Sequence, residues 1–468
     1  MRPKKNNHIV LKVILILIML LFIAGTVYTV KLCLDLPGQE VETRPTTGIQ
    51  LPTGNRESEP TEPTETTAPP ETTLPEPEHV VATASIASQG DLLMHGGVIR
   101  SGAQTDGSYD FESVFRYVKD YVSGYDLALA NLETTFGGDS KPYQGWPLFN
   151  VPDAFGDAIV DAGYDLLLTS NNHCYDTLMD GFKRTIEVSR EKGLMVLGSR
   201  LTEEEPRYAV VDINGIQVGM VSYTYTTSMS GGKPSLNGNS PVENPALVNY
   251  FSYTNLNAFY AEMTDVLERM KADGAEATML FIHWGTEYEI VENNYQDTIA
   301  QKMCDLGVDV IVGGHPHVVQ PVELLTSATD PEHKTVCIYS LGNAVSNQRI
   351  AEMKLKTGHT EDGVLFAVTF EKYSDGTVYL ASAEVLPTWV NLSSVNGKLE
   401  YNILPLEDAK RDEWKEAFNL TDSLYQNCVD SYDRTMNIVG SGMERVQSWL
   451  AQQKQQRDDA YLAQVRGE

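Results

Sequence analysis

From Val80 onward the apolar positions fall into short runs separated by polar, turn-rich or helically spaced stretches. Strand-like runs recur at Val80–Ser88, Asp126–Ala130, Asp165–Thr169, Met195–Gly198, Ala277–Ile282, Val308–Val312 and Thr335–Tyr339. Between the early ones, Phe111–Val122, Asp153–Ala162 and Thr177–Lys192 carry apolar residues at helical spacing. Strands that alternate with helices, and that read as nearly continuous apolar runs, predict an α/β domain whose sheet is covered on both faces. Asn214-Gly215 and Asp375-Gly376, flanked by Val-, Ile- or Tyr-rich segments, predict two hairpins. A Gly/Ser/Asn-rich stretch, Ser228 to Ser240, is a candidate mobile lid, and after Pro405 the chain turns polar and helical to its end.

The first 78 residues follow different rules. Arg2, Lys4, Lys5 and Lys12 precede an uncharged apolar run from Val13 to Val30. As a helix, that run would span roughly 27 Å, close to the hydrocarbon thickness of a bilayer. The basic flank predicts a single-pass anchor in the cell membrane, with all that follows Lys31 outside the cytoplasm. A cleaved signal peptide is the competing expectation. Residues 40 to 78 hold eight of the 22 prolines, ten threonines and nine glutamates, the composition of a solvated, disordered spacer. The expected organisation is therefore 1–39 cytoplasmic tip and anchor, 40–78 linker, 79–400 catalytic-type α/β domain and 401–468 helical appendage.

Charge narrows the partners. The chain has a formal net charge of −29, so a nucleic-acid partner is disfavoured, since such affinity rests on Lys and Arg neutralising phosphates. Five scattered cysteines form no C-x-x-C pair, which argues against both a zinc knuckle and a disulfide framework. Cys174 has a neighbouring histidine, yet the expectation is a small buried residue rather than a nucleophile.

The nine histidines carry more information. His95, His173, His283, His315 and His317 each follow closely on an apolar strand, the place where α/β sheets assemble binding sites. Gly90-Asp91-Leu92-Leu93-Met94-His95 ends the first strand, Asn131-Leu132-Glu133 the second and Ser170-Asn171-Asn172-His173-x-x-Asp176 the third. Later strands end in His283-Trp284-Gly285-x-Glu287-Tyr288 and Gly313-Gly314-His315-Pro316-His317. The two glycines are expected to allow a tight turn, and Pro316 to hold His315 extended, so that both imidazoles address one site. A mixed set of Asp, Glu, Asn and neutral imidazole, without thiolate, suits Mn, Fe(II) or Zn. Seven candidates exceed one tetrahedral ion and match two divalent ions bridged by a carboxylate.

These motifs, followed by Ser340-Leu341-Gly342-Asn343, resemble the CapA family of bacterial poly-γ-glutamate capsule synthesis, related to calcineurin-like metallophosphoesterases. The resemblance covers roughly residues 84 to 350, with the hairpin that follows to about 390. It implies a four-layer αββα sandwich, with Asp91 on one metal and Glu133 bridging. It places Asn172, His283 and His315 on the second metal and returns His317 to the first. His173 would protonate the leaving group, oriented by Asp176. Leu93 stands where the superfamily has a ligating histidine, so His95 either substitutes for it or only lines the pocket. The implied partner is an envelope polymer or a phosphoester, within a capsule synthesis complex. The resemblance leaves two modes open, turnover of that substrate or binding and passage of a nascent polymer.

Overall fold

The computed structural model describes residues 79–466, with side chains to 463. The anchor and the linker expected at the N-terminus, residues 1–78, lie outside the described residues. Among the described residues no helix is long and apolar enough to cross a membrane.

The strands run in chain order β1 Val80–Leu92, β2 Leu127–Asn131, β3 Leu166–Leu168, β4 Met195–Leu197, β5 Tyr208–Ile213, β6 Ile216–Tyr225, β7 Ser228–Ser230, β8 Lys233–Ser235 and β9 Tyr250–Phe251. They continue as β10 Ala277–His283, β11 Val310–Gly314, β12 Val322–Thr326, β13 Lys334–Ile338, β14 Asn343–Val345, β15 Asp362–Tyr373, β16 Val378–Val395 and β17 Lys398–Pro405. One sheet has the order β17-β16-β15-β1-β2-β3-β4, with β14 also paired to β1. The other runs β12-β13-β11-β10-β6-β5, with β9 paired to β6. The pairs β1–β2, β2–β3 and β3–β4 are parallel, as are β6–β10, β10–β11 and β11–β13.

Alternation along each strand explains the layering. Leu127 and Leu129 of β2 and Met279 and Phe281 of β10 face each other's sheet in one shared core. Ala128 and Ala130 face outward, towards a cluster with Phe155 and Ile159 of the helix Ala154–Asp161. Leu280 and Ile282 face outward on the other side, towards Phe259 and Met263 of the helix Leu256–Ala272 and Ile299 and Met303 of the helix Asn294–Asp305. Successive side chains of one strand thus enter different layers, both apolar. Helix, sheet, sheet and helix stack in that order, as expected from the resemblance.

Three expectations change. The segment Phe111–Val122 forms two short helices, Glu112–Phe115 and Lys119–Val122, because the Val118 N–H bonds to the Phe115 carbonyl three residues back and tightens the chain between them. β17 runs to Pro405, so the sheet continues past residue 400. The helix Asp422–Arg466 is no mere appendage. Its Val439, Met443, Val446 and Leu450 belong to the inter-sheet core, packed beside Val322 of β12. Gly442 makes this possible, since a Cβ there would lie 1.9 Å from the Val322 carbonyl oxygen.

Candidate metal centre

Parallel strands from both sheets end at one rim, and register brings their terminal residues side by side. Asp91 pairs with Asn131 across β1–β2 and with Asn343 across β1–β14, while His283 pairs with Gly314 across β10–β11. Close backbone approach demands glycine at two of these ends. A Cβ on Gly90 would meet the Gly342 oxygen at 2.0 Å, and one on Gly313 the Tyr339 oxygen at 2.0 Å. Gly313 therefore serves strand packing, and Gly314 leaves room beside Asp91, both inside β11 rather than in the tight turn expected of them.

The turn falls on the histidines. His315 has φ +97° and His317 φ +56°, so Pro316 does not hold His315 extended. Left-handed backbone at such residues costs about 1–3 kcal/mol each and persists where surrounding structure imposes it. Here it aims two imidazoles, with ring centroids 5.9 Å apart, into one buried space.

Asp91, Glu133, Asn172, His283, His315 and His317 are all buried. His317 Nδ1 lies 3.1 Å from Asp91 Oδ2, and its Nε2 3.8 Å from Glu133 Oε1. His283 Nε2 lies 3.6 Å from Glu133 Oε1 and 2.7 Å from Asn172 Oδ1. With ligand bonds near 2.1 Å, neighbouring donors around one ion stand about 3.0–3.4 Å apart; the Asp91–His317 separation falls in that range, and the other three lie within half an ångström of it. Three residue groups have ligand atoms close enough to share an ion: Asp91, Glu133 and His317; Glu133, His283 and His315; and Glu287, His315 and His317. Glu133 is common to the first two.

The residues fit a metal on two further grounds. Glu133 Oε1 and His315 Nδ1 are buried without a hydrogen-bond partner, which is costly unless an ion engages them. Burial, then the charges of Asp91 and Glu287, push the Glu133 carboxyl well above its usual range, a balance that a divalent cation would reverse. Burial also brings His283 down to about 3 and His315 well below its usual value, leaving both imidazoles neutral, the form that ligates. Burial alone would raise Asp91, but the hydrogen bond and charge of His317, aided by His283 and Asn131, hold it lower.

His173 stands apart from these groups. Its Nδ1 lies 2.7 Å from Asp176 Oδ2, and Phe149 packs edge-on against its ring at 4.6 Å between centroids. A carboxylate only accepts, so Nδ1 donates to Asp176 and Nε2 is left as the nitrogen free for proton traffic. His95 is in none of the three groups. Its Nδ1 accepts from the Asn347 N–H at 3.3 Å, Phe149 covers it at 5.3 Å, and burial lowers it to about 4. Cys174 is buried and its thiol pushed up to about 12, mainly by burial, which leaves it a packing residue.

Several contributors escaped the sequence reading as site residues. Asn131 donates to Asp91 Oδ1 at 2.7 Å, and Asn343 Oδ1 lies 3.2 Å from His317 Nδ1. Tyr225 meets His315 Nε2 at 3.1 Å. Both asparagines sit inside motifs that were already visible; Tyr225 is the last residue of the apolar strand β6 and gives no such signal.

Residues 85–348 match the family model described as bacterial capsule synthesis protein PGA_cap. The chain is 26% identical over 263 residues to the PGA biosynthesis protein CapA of Bacillus subtilis, covering 55% of this chain and 62% of that one. It is 26% identical over 264 residues to the capsule biosynthesis protein CapA of Bacillus anthracis, covering 55% and 59%. The match thus spans about three fifths of the length of these curated relatives. Among solved structures, the NAD nucleotidase NadN of Haemophilus influenzae aligns with a TM-score of 0.40 at 12% identity, over 81% of this chain and 68% of that one. With more than half of its length matched by the family model, and the motifs of that match gathered at one rim, the chain belongs to the bacterial capsule synthesis protein PGA_cap family.

Proposed function

We propose that this protein is a two-metal hydrolase of the metallophosphoesterase kind. It acts in the synthesis of a poly-γ-glutamate capsule or a related envelope polymer, held outside the membrane by its N-terminal segment. The observation that carries the hydrolase reading is the sharing of Glu133 between two ligand groups at one buried rim. Family membership and the names of the Bacillus relatives support the polymer context.

Asp91 and His317 would hold one ion and His283, His315 and Asn172 the other, with Glu133 between them. Bound in such a pair, divalent ions polarise an ester or amide oxygen and ready water for attack at neutral pH. His173 lies beside Asn172 in the chain and donates a proton to the departing oxygen or nitrogen from Nε2. Asp176 fixes the ring through Nδ1.

The test uses the full-length protein loaded with Mn, Fe or Zn and assayed on phosphoesters and γ-glutamyl polymers. Metal-dependent turnover is expected. His173→Ala should keep its metal content and lose roughly 10²–10⁴-fold in turnover. Polymer binding without turnover by the metal-loaded protein would overturn the hydrolase reading in favour of polymer handling.

A further inference from the structure

The segment 228–240 connects to the proton donor through side chains that no motif marks. It forms the small hairpin β7–β8, whose base is anchored by Leu236, buried beside Cys174 and Tyr175. On either side of Gly238, the two asparagines reach Asp176. Asn237 Nδ2 donates to Asp176 Oδ1 at 3.1 Å and to the Pro147 carbonyl at 3.0 Å. Asn239 Nδ2 donates to the same Oδ1 at 3.1 Å. Oδ2 takes the His173 Nδ1–H at 2.7 Å and the Phe149 N–H at 2.7 Å.

Asp176 thus receives four hydrogen bonds, two on each oxygen, which fills its acceptor capacity. Its two oxygens face different partners. Phe149 and the histidine hold Oδ2, and only the hairpin asparagines hold Oδ1. Without them Oδ1 has no partner and the carboxylate is held through Oδ2 alone, about a broad and soft last torsion, so the imidazole is less firmly directed. Oriented groups of this kind matter because misplacement of about 1 Å at a reacting centre costs on the order of 10²-fold in rate.

We infer that Asn237 and Asn239 are positioning residues for His173, so that the 228–240 hairpin must be seated on Asp176 before the proton donor is aimed. Mechanistically this rests on the hydrolase reading, but the geometry can be tested without turnover. Asn237 has φ +51°, so its side chain is best removed as Asn237→Gly, which adds no backbone strain; Asn239→Ala serves for the other.

The experiment records the ring Nδ1–H resonance of His173 by NMR in full-length protein with 15N-labelled histidine, metal-free and zinc-loaded, using Asp176→Asn to assign it. A downfield resonance is expected in the wild type, broadened or lost in the Asn237→Gly, Asn239→Ala double variant, with zinc content unchanged. Asn239→Gln, which can still donate, should retain it in part. On any hydrolysed substrate, kcat should fall about 10–100-fold for a poor leaving group, with KM nearly unchanged and activated aryl esters little affected. An unaltered resonance in the folded double variant would overturn the positioning role. A wild type with the expected resonance but no turnover would instead count against the hydrolase reading.

Discussion

At the residue scale, the useful distinction is between histidines that lie in a shared ligand group and those that lie outside all three. His95 follows Asp91 by four residues and was a fair substitute for the ligand that Leu93 cannot supply. In the fold, its Nδ1 is taken by the Asn347 N–H and its ring by Phe149. The prediction is that His95→Gln leaves metal content unchanged. Its folded pKa, about 4, lies below the ordinary 6.5. Between those values the unfolded chain binds a proton that the folded chain does not, so this contribution to stability is complete above pH 6.5 and is lost as pH falls towards 4. Denaturation midpoints measured across pH 4–7 should therefore show a slope shallower by about one proton in His95→Gln. A variant that loses metal would make His95 a ligand after all.

The candidate ligand set was legible because each member stands at or near a strand end inside a motif of unusual composition. Asp91, Glu133, Asn172, His283, His315 and His317 meet at one rim. The backbone around the histidine pair was not legible, since the usual preference of a residue before proline was overridden at His315. Asn237 and Asn239 were hidden for a plainer reason. They sit more than 60 residues from His173 in a stretch whose composition reads only as loop.

At the scale of elements, strands with two apolar faces could be found from sequence, whereas the C-terminal helix was underestimated. Its fully buried positions in the inter-sheet core are few, Val439, Met443, Val446 and Leu450, and polar residues separate them along the helix. The two glycines nearby separate packing from propensity. At Gly442 a Cβ would overlap the Val322 carbonyl, while at Gly440 the nearest atom, Met436 Cε, is 3.9 Å away. Alanine gains about 1 kcal/mol of helix propensity over glycine, but overpacking against backbone costs about 1–3 kcal/mol. Gly440→Ala should therefore raise the thermal midpoint and Gly442→Ala lower it. Equal shifts in both would show that the helix does not press on β12.

At the scale of the whole molecule, charge is the dominant fact. Residues 79–468 carry −26 of the net −29, so an anionic polymer approaches against the field of the protein. Ions bound at the rim would offset that field only locally. For a polyglutamate substrate, KM should fall as ionic strength rises from about 0.05 to 0.5 M, because screening shortens the repulsion to a few ångströms. A small neutral ester should show little change. A KM that rises with salt would mean that a local basic surface, rather than metal, attracts the polymer.

The most direct test of the central claim is metal stoichiometry. Full-length wild type and Glu133→Gln are reconstituted with Mn or Zn and measured by elemental analysis and calorimetry. A carboxylate common to both ligand groups predicts about two ions per wild-type chain, and loss or marked weakening of both in the variant. His315→Ala, which touches one group of that pair, should weaken one ion only. Two ions bound undiminished by Glu133→Gln, or none bound by the folded wild type, would contradict the shared-carboxylate centre.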